Sequence, residues 1–493
     1  MNNELIIMNT KQIYNKLIAG LFCCFLFIVP CLLSSCESWV DVTPDDRIVE
    51  TTVFERQQGY QKLLNGLYSG MSSTSLYGRN MSALIDVMGQ IYLVDKYHNY
   101  GPIAHFNYGE DQAKNMVSTI WNNSYSIISN ANALIEHTDD ADCPLSERQK
   151  SRMKADALTV RAFIHFDLLR LFGPVPSEMS NRAIPYQTSS KLDVQPFETG
   201  AQILSKIKAD LTEAVRLLQT TEPLLNPDNY TADDLASRPY RFNYFAVKAV
   251  LARVYLYEGD KANALREATE VINAGEQFFP ATTSAAAGSS STPDRVFSSE
   301  VLFGLYDTSR STHLYNTLFT PTLTEYNILT VAGGLGTGRL AEWYDDQNDY
   351  RYKIWAVDVV DGNDKLHQQK YKNVTDGGDL NFIIPLVRMG EMYLIAAECA
   401  TNTADATKYL NTLRNRRNCF SVELSDTNLR DYLTLEFRKE MLGEGQMFFY
   451  FKRCEMTQLP NSERTEGTIS MSLSSYVVPL PDSELSMREG FND

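Results

Sequence analysis

Apolar residues recur at helical spacing along most of this chain. In nine segments they return every three or four residues, which places them on one face of an α-helix. The clearest stripe is Leu158, Ala162, Phe166, Leu169 and Phe172, which the sequence Gly173-Pro174 closes. The periodicity predicts amphipathic helices over 54–72, 112–137, 146–172, 197–219, 242–257, 260–274, 386–401, 404–417 and 427–442.

Two of the predicted helices follow each other across a very short turn. Residues 242–275 comprise a helix, the turn Gly259-Asp260 and a second helix, and Ala252, Tyr255 and Ala264 stand at offsets that resemble a tetratricopeptide repeat. Residues 386–417 form a looser second copy, with 402–404 as its turn. Such pairs bury their apolar faces only by stacking on one another. We therefore expect a fold dominated by α-helices, built as a tetratricopeptide-like scaffold of helix pairs with a few short strands.

Two long stretches, 73–111 and 276–385, lack helical spacing and are rich in aromatic and polar residues. Loops of this length are usually functional or disordered. Within the second stretch, the small residues of 281–293 predict a surface loop, while 300–305 and 382–386 predict short strands. The chain is thus expected to place its helical scaffold over 50–275 and 380–455, around a loop-rich insert over 276–385.

The N-terminus has a different pattern, typical of an export signal. Lys11 and Lys16 precede an apolar run over 17–33, which ends in the tetrapeptide Leu-Ser-Ser-Cys at Cys36. These features predict a signal peptide over 1–35, with Met8 as an alternative start. The run is shorter than the ~20 residues needed to cross a bilayer. The tetrapeptide resembles the bacterial lipobox, which implies that Cys36 carries lipid.

The balance of charge is strongly acidic. The formal net charge is -16, and residues 1–35 contain two lysines and one glutamate, so their removal leaves about -17. Because phosphate binding depends on clustered Lys and Arg, we expect no nucleic-acid partner. We interpret the short group Arg414, Arg416 and Arg417 as facing the C-terminal dipole of its helix. The acidity also disfavours uronate-rich or sulfated polymers, unless a local patch offsets it.

Motifs for catalysis or metal binding are absent from the sequence. The six histidines form no close ligand pair, and His165 is interpreted as a packed residue. The glycines of 333–338 do not match a dinucleotide loop and predict a turn. We interpret two acidic groups as solvated surface, namely Asp139, Asp140 and Asp142, and Asp345, Asp346 and Asp349. The sequence therefore predicts no enzyme and no cofactor, with calcium left open but without a supporting motif.

Four cysteines follow Cys36 in the chain, at scattered positions. They have no C-x-x-C spacing and form no disulfide framework, although four cysteines in an exported domain allow one pair, which the sequence does not identify. We expect buried free thiols at Cys143, Cys399, Cys419 and Cys454.

The aromatic-rich stretches offer the groups that bind sugars. Sugar rings have apolar C–H faces that stack on aromatic rings, and hydroxyls that bond to amide, carboxylate or guanidinium groups. Both types stand together in 77–108 and 326–355. The candidates for contact with a glycan, with Tyr97, Tyr100 and Trp343 foremost, are Arg79, Tyr92, Tyr97, Asn99, Tyr100, Trp343 and Tyr344.

Three segments resemble the SusD/RagB family, which comprises outer-membrane nutrient-binding lipoproteins of the Bacteroidetes. The first is the lipobox with Cys36, followed by Trp39 and several acidic residues. The second is the helix and exit turn of 161–176, RAFIHFDLLRLFGPVP. The third is EFRKEMLGEG over 436–445 and onward to 453, where Met447 and Tyr450 replace an Arg and an Asp that the family usually has. The resemblance spans nearly all of 36–493.

This resemblance implies a single SusD-like domain over 36–493 that is anchored to the outer membrane and exposed at the cell surface. It implies that loops in the insert over 276–385 and elsewhere capture an oligosaccharide and that the scaffold docks on a SusC-like TonB-dependent transporter. Three alternatives stay open. They are a peptide-binding member of the same family, a surface glycoside hydrolase, for which no carboxylate pair is found, and an adhesion protein without a small ligand.

Overall fold

The computed structural model describes residues 53–191, 193–229 and 231–488. The chain divides into two compact units, 1–59 and 60–493, and of the first only residues 53–59 are described. The predicted signal peptide over 1–35 and the predicted lipid site Cys36 lie outside the described residues. Almost all of the described residues belong to the second unit.

Helices carry most of the described chain. Their bounds are α1 Gln57–Met71, α2 Ile85–Met88, α3 Gly101–Ala104, α4 Asp111–Thr138, α5 Glu147–Phe172, α6 Gly200–Thr221, α7 Ala232–Ala236, α8 Tyr244–Glu258, α9 Lys261–Gly275, α10 Ser284–Ala287, α11 Asn316–Leu318, α12 Gly338–Trp343, α13 Met389–Cys399, α14 Thr403–Arg416, α15 Leu429–Met441, α16 Met447–Arg453 and α17 Asp482–Arg488. Each of the nine predicted helices is present among them. The prediction of a helix-dominated fold is confirmed.

Local sequence sets the ends of the principal helices. Ser146 and Gln149 form a reciprocal capping box at the start of α5, and the helix stops at Gly173-Pro174. Asn243 caps α8 by accepting a hydrogen bond from a backbone N–H of the first turn, and Asp260 caps α9 in the same way. Between them Gly259 takes a φ of 88°, the left-handed conformation that ends α8. These residues produce the predicted two-helix unit.

The long helices pack as a continuous series. In chain order α4 packs on α5, α5 on α6, α6 on α8, α8 on α9 and α9 on α13, while α13 also contacts α14 and α15. The predicted apolar stripe of α5 is buried along this series, and so are the small residues Ala252 and Ala264 where α8 meets α9. Stacked pairs cover each other's apolar faces, which is the packing expected of a tetratricopeptide-like scaffold.

The strands are short and pair two by two. They are β1 Arg182–Pro185 with β2 Phe197–Thr199, β3 Val301–Tyr306 with β6 Ile383–Arg388, β4 Trp355–Val360 with β5 Asn363–Gln368, and β7 Gln458–Pro460 with β8 Thr468–Ser470, all antiparallel. The two predicted strands, 300–305 and 382–386, are β3 and β6, and they pair with each other. An Asp361-Gly362 turn with positive φ at both residues closes the β4–β5 hairpin, which the periodicity did not predict.

Three local predictions differ from the structure. Residues 386–388, expected in a helix, end strand β6, and α13 begins at Met389. Helix α16 was not predicted because Phe448, Phe449, Tyr450 and Phe451 are buried together and leave no polar face to define a period. The stretch 73–111 contains α2, α3 and a wide helical turn over Asn80–Leu84, much of it buried. Short elements that are apolar on all sides have no periodicity to detect.

Candidate functional site

The two aromatic-rich stretches meet in the fold. The backbone N–H of Leu93 donates to the carbonyl of Thr330 at 2.8 Å, and the N–H of Asn99 donates to that of Tyr326 at 3.0 Å. The side-chain amide of Asn99 also donates to the amide oxygen of Asn327. These bonds bring residues 95–100 and 324–327 side by side. We call this pair of segments the paired-loop surface.

Two tyrosine rings project from the paired-loop surface. Tyr97 is 66% exposed and Tyr326 is 48% exposed, which is unusual for rings of this size. Asp95 shapes the first loop, because its carboxylate accepts the backbone N–H groups of Tyr97 at 2.8 Å and of His98 at 3.0 Å. The Lys96 ammonium lies 4.9 Å from the centre of the Tyr97 ring. The surface thus offers two aromatic faces with charged and amide groups beside them.

Two further aromatic side chains of the first loop pack against each other. Tyr100 is half-buried and its ring stacks on that of His98 with the centres 5.7 Å apart. The His98 Nδ1 accepts the backbone N–H of Tyr100 at 3.0 Å, and burial lowers the pKa of His98, so the ring is neutral at pH 7. Burial raises the pKa of Tyr100 and the nearby charge of Arg79 partly opposes this effect. The predicted residues Arg79, Tyr97, Asn99 and Tyr100 therefore belong to one neighbourhood.

The other three predicted ligand residues lie in the core. Tyr92 is fully buried, and its hydroxyl accepts a hydrogen bond of 2.6 Å from the Gln368 amide. Tyr344 is buried and donates its hydroxyl hydrogen to the carbonyl of Arg351 at 3.2 Å. Trp343 is buried as well. In this structure the three rings are buried, and large buried rings contribute much apolar packing area per side chain.

Two interpretations of charged groups need correction. Asp349, read as solvated surface, is fully buried and pairs with Arg351 at 2.7 Å, and Asp346 is buried and accepts the backbone N–H of Phe420. Arg417, read as facing a helix dipole, is buried and pairs with Glu300 at 2.7 Å. The acidic group over 139–142, in contrast, is exposed at all three carboxylates.

Asp349 and Arg417 belong to a buried cluster of ion pairs that the sequence did not predict. Glu440 at its centre pairs with Arg388 and Arg417 at 2.6 Å each and with Arg351 at 3.1 Å. Glu436 and Glu444 extend the cluster. They stand four residues before and four residues after Glu440, and this regular spacing of carboxylates is the sequence signal from which the cluster could have been predicted. The EFRKEMLGEG segment thus builds the framework rather than a ligand surface.

Packing replaces charge pairing at the two positions where this chain departs from the usual family pattern. Met447 is buried. The Tyr450 ring stacks on Phe437 with the centres 4.5 Å apart, and its hydroxyl bonds to that of Thr434 at 2.8 Å.

The structure shows the burial and the contacts of His165 and of the four cysteines. His165 is fully buried, its ring stacks on Tyr186, and burial lowers its pKa to about 3, so it is the packed residue that was expected. Cys143, Cys399, Cys419 and Cys454 are free thiols, of which only Cys399 and Cys419 are fully buried.

Among the described residues, His, Cys, Asp and Glu side chains form no group of three that could hold a metal ion. Nor does any described helix combine the length and apolarity needed to cross a membrane.

Comparison with known proteins supplies the context for this site. A family model described as "Starch-binding associating with outer membrane" matches residues 38–256, and a second, described as "SusD family", matches residues 362–489. SusD-like protein P2 of Formosa agariphila is 24% identical, over 93% of this chain and 96% of that protein.

Solved structures agree with this fold. A SusD superfamily protein from Bacteroides thetaiotaomicron superposes with a TM-score of 0.72 at 23% identity, over 87% of this chain and 97% of that one. Surface glycan-binding protein A from Bacteroides uniformis superposes with a TM-score of 0.67 at 19% identity, over 88% of this chain and 98% of that one. At these identities the likeness concerns the fold. Taken with the two family models, it leads to one conclusion: the chain belongs to the SusD/RagB family.

Proposed function

We propose that this protein is a cell-surface lipoprotein that binds an oligosaccharide on the paired-loop surface and passes it to a SusC-like TonB-dependent transporter. The observation that carries the proposal is the exposure of Tyr97 and Tyr326 on two loops that are hydrogen-bonded to each other. A second support is the fold shared with surface glycan-binding protein A from two Bacteroides species. Binding is proposed to occur without catalysis.

The chemistry of the surface suits a neutral sugar chain. The faces of Tyr97 and Tyr326 can stack on the apolar faces of two sugar units. Asn99 and Asp95 offer amide and carboxylate groups for hydroxyls, and Arg79, whose charge acts on Tyr100, offers a further donor. The backbone bonds between the loops hold these groups in place before a ligand arrives, which lowers the entropic cost of binding.

Tyr97→Ala and Tyr326→Ala test this surface. Each removes an exposed ring, so we expect folding to be unchanged and glycan affinity to fall about tenfold or more, because a stacked ring contributes about 1.5 kcal/mol or more. Isothermal titration calorimetry against a panel of soluble polysaccharides measures the effect. Phe420→Ala is the matched control, since Phe420 is 75% exposed and lies outside the paired-loop surface. Equal affinity in all three variants contradicts the proposed site.

A peptide-binding assay with the same variants distinguishes a peptide ligand from an oligosaccharide. A pool of short peptides is added to the protein, and bound species are identified by mass spectrometry. Peptides retained by the unaltered protein but lost in Tyr97→Ala, with no polysaccharide bound, would replace the oligosaccharide in the proposal. Release of sugar products during incubation would contradict binding without catalysis.

The lipid anchor is tested at Cys36. A lipobox cysteine supplies the thiol that receives the lipid, so Cys36→Ala should move the protein from the membrane to the soluble fraction. Immunoblots of fractionated cells measure the distribution, and Cys143→Ala is the control for loss of a thiol. Unchanged fractionation of the Cys36 variant contradicts lipid anchoring at this residue.

A further inference from the structure

A pocket of about 130 Å³ lies between the loop that follows α10 and the turn that precedes β4. This loop belongs to the stretch of small residues over 281–293, and the pocket shares no residue with the paired-loop surface. Its volume is below the range of about 300–1,000 Å³ that is usual for a complete small ligand. The pocket therefore suits one substituent of a larger ligand. The polar residues in its wall are Ser289, Ser290, Asp294, Arg295, Tyr350 and Lys353.

The two cations in this wall are available to a ligand. Arg295 is half-buried and donates a hydrogen bond of 3.1 Å to the amide oxygen of Gln369, which carries no charge. Lys353 is exposed, and its ammonium lies 5.0 Å from the centre of the Tyr350 ring. Across the part of the chain that the structure describes, neither Arg295 nor Lys353 forms an ion pair with Asp or Glu. Both positive charges are therefore free to attract an anion.

The one carboxylate among the lining residues already has its own donors. Asp294 accepts the backbone N–H of Val296 at 3.2 Å and both the backbone N–H and the hydroxyl of Ser298 at 2.8 Å each. The nearby carboxylate of Glu300 pairs with Arg417 at 2.7 Å. The wall thus contains two positive groups and one negative group. Its net charge is positive in a protein whose formal net charge is -16.

Partial burial favours an anion beside Arg295. Burial lowers the pKa of Arg295, because it removes water from the positive group, and the Tyr315 hydroxyl opposes this effect. The guanidinium nevertheless stays protonated at neutral pH. A counter-charge close to a buried cation offsets the loss of hydration. An anion in the pocket would supply that counter-charge.

We propose that this pocket binds the anionic substituent of an acidic sugar, which is a sulfate ester or a carboxylate. The guanidinium of Arg295 offers a planar fork of N–H donors, and the ammonium of Lys353 offers a compact charge with three more. The hydroxyl of Ser290 adds a neutral donor in the same wall. The saccharide part of this ligand rests on the proposed function, whereas the preference for an anion rests on the charges of the wall.

Such a site would change which polymers the protein accepts. The overall negative charge repels acidic polymers in general. A pocket with a positive wall gives one acidic unit an attractive position at short range. The protein would then bind a saccharide that carries isolated acidic units, and it would still disfavour a uniformly acidic one.

Glucose sulfate and glucuronate test the proposal, with glucose as the neutral counterpart. In ligand-observed NMR titrations at least one of the two anionic sugars should bind at a concentration at which glucose does not. The tighter of the two identifies the substituent. Affinity should fall as sodium chloride is added, because salt screens charges that are partly exposed.

Removal of either cation should weaken binding of the anionic sugar. Lys353→Met changes an exposed side chain, and affinity should fall about tenfold or more because hydrogen bonds to a charged group are lost. Lys408→Met, which changes an exposed lysine of α14, is the matched control and should bind as the unaltered protein does. Arg295→Met should act as Lys353→Met does, whereas Arg295→Lys keeps the charge and should retain most of the affinity.

A pair of variants at Ser290 protects the test against misfolding. Ser290 is exposed in the wall of the pocket, so Ser290→Asp should add a negative charge there with the fold unchanged. We expect this variant to bind the anionic sugar about tenfold less tightly or worse. Ser290→Asn introduces a neutral side chain of the same size and should bind more tightly than Ser290→Asp.

Three results would overturn the proposal. They are equal affinity for glucose and both anionic sugars, unchanged binding in Lys353→Met and Ser290→Asp, and inorganic sulfate bound as tightly as glucose sulfate, which would indicate a site for the free ion. Loss of binding in Tyr97→Ala but not in Lys353→Met would place the anionic sugar on the paired-loop surface instead. If no polysaccharide binds the unaltered protein but the anionic sugars bind in a Lys353-dependent way, the proposed function fails and the pocket stands.

Discussion

Aromatic residues in the two irregular stretches divide between surface and core. Tyr97 and Tyr326 are exposed, while Tyr92, Trp343 and Tyr344 are buried, although all five stand among similar polar neighbours in the sequence. Tyrosine and tryptophan serve both purposes, because each combines a large apolar ring with one polar atom. At the residue scale, exposure depends on which distant segment covers a ring.

The buried carboxyl group of Asp86 should make the stability of the protein depend on pH. It is fully buried and accepts the backbone N–H of Gly443 at 2.7 Å. Burial raises its pKa to about 7, although the Gly443 amide and Lys370 oppose the shift. The native state therefore keeps a proton that the unfolded chain releases near pH 4, so this group's contribution to stability falls as pH rises from about 4 to about 7.

Asp86→Asn should remove that dependence. The amide oxygen can still accept the Gly443 N–H, and no charge has to be buried at high pH. We expect the variant to gain stability relative to the unaltered protein between pH 5 and pH 8, measured by urea unfolding at each pH. Asp361→Asn, in the exposed turn of the β4–β5 hairpin, controls for loss of one carboxylate. Parallel pH profiles for Asp86→Asn and the unaltered protein would rule out the effect.

At the scale of elements, caps and turn residues decide where the helices begin and end. Asn243, Gly259 and Asp260 define the α8–α9 unit within a few residues of one another, and all three act through local hydrogen bonds or backbone conformation. The periodicity between them is equally local. This is why the predicted helix pair matches the structure closely, whereas short apolar elements such as α2 and α16 were missed.

Gly259→Ala tests the importance of this turn. At a φ of 88° any residue with a Cβ has a strained backbone, even where the surrounding space is open. We therefore expect the variant to lose about 1 kcal/mol or more of unfolding free energy. Gly66→Ala is the matched control, because Gly66 lies on the exposed side of α1 with open space around it. There the same change should stabilise by roughly 0.5–1 kcal/mol. A gain at both positions would contradict the role given to Gly259.

At the scale of the second unit, the buried ion pairs connect segments far apart in the chain. Glu440 on α15 joins Arg388 at the end of β6, Arg417 after α14 and Arg351 before β4. Burial alone would raise the pKa of Glu440, but Arg417, Arg388 and Arg351 outweigh burial and hold it well below its usual range. The cluster thus ties the helical scaffold to the insert that contains the β4–β5 hairpin.

Glu440→Gln should therefore be strongly destabilising. It leaves three buried guanidinium groups short of a carboxylate, and breaking such a buried pair costs about 3–5 kcal/mol. Urea denaturation gives the change in unfolding free energy. Glu213→Gln, which breaks an exposed pair with Arg216, should cost about 0.5 kcal/mol or less. Similar losses for the two variants would show that the cluster is not central to stability.

The sequence by itself determined the nine long helices, two of their pairs and the family. These follow from apolar spacing, caps and motifs, all of which act over a few residues. It also identified the two stretches that form the paired-loop surface, with Arg79, Tyr97, Asn99 and Tyr100 among the candidates. It could not decide that 95–100 lies against 324–327, because the hydrogen bonds between them span more than two hundred residues.

Only the tertiary structure decided which polar and aromatic groups are buried. Trp343 is buried in the core, Asp349 pairs with Arg351, and Arg417 pairs with Glu300. In each case the outcome depends on what distant segments contribute to the same place, since burial and ion pairing are properties of packed neighbours rather than of local spacing.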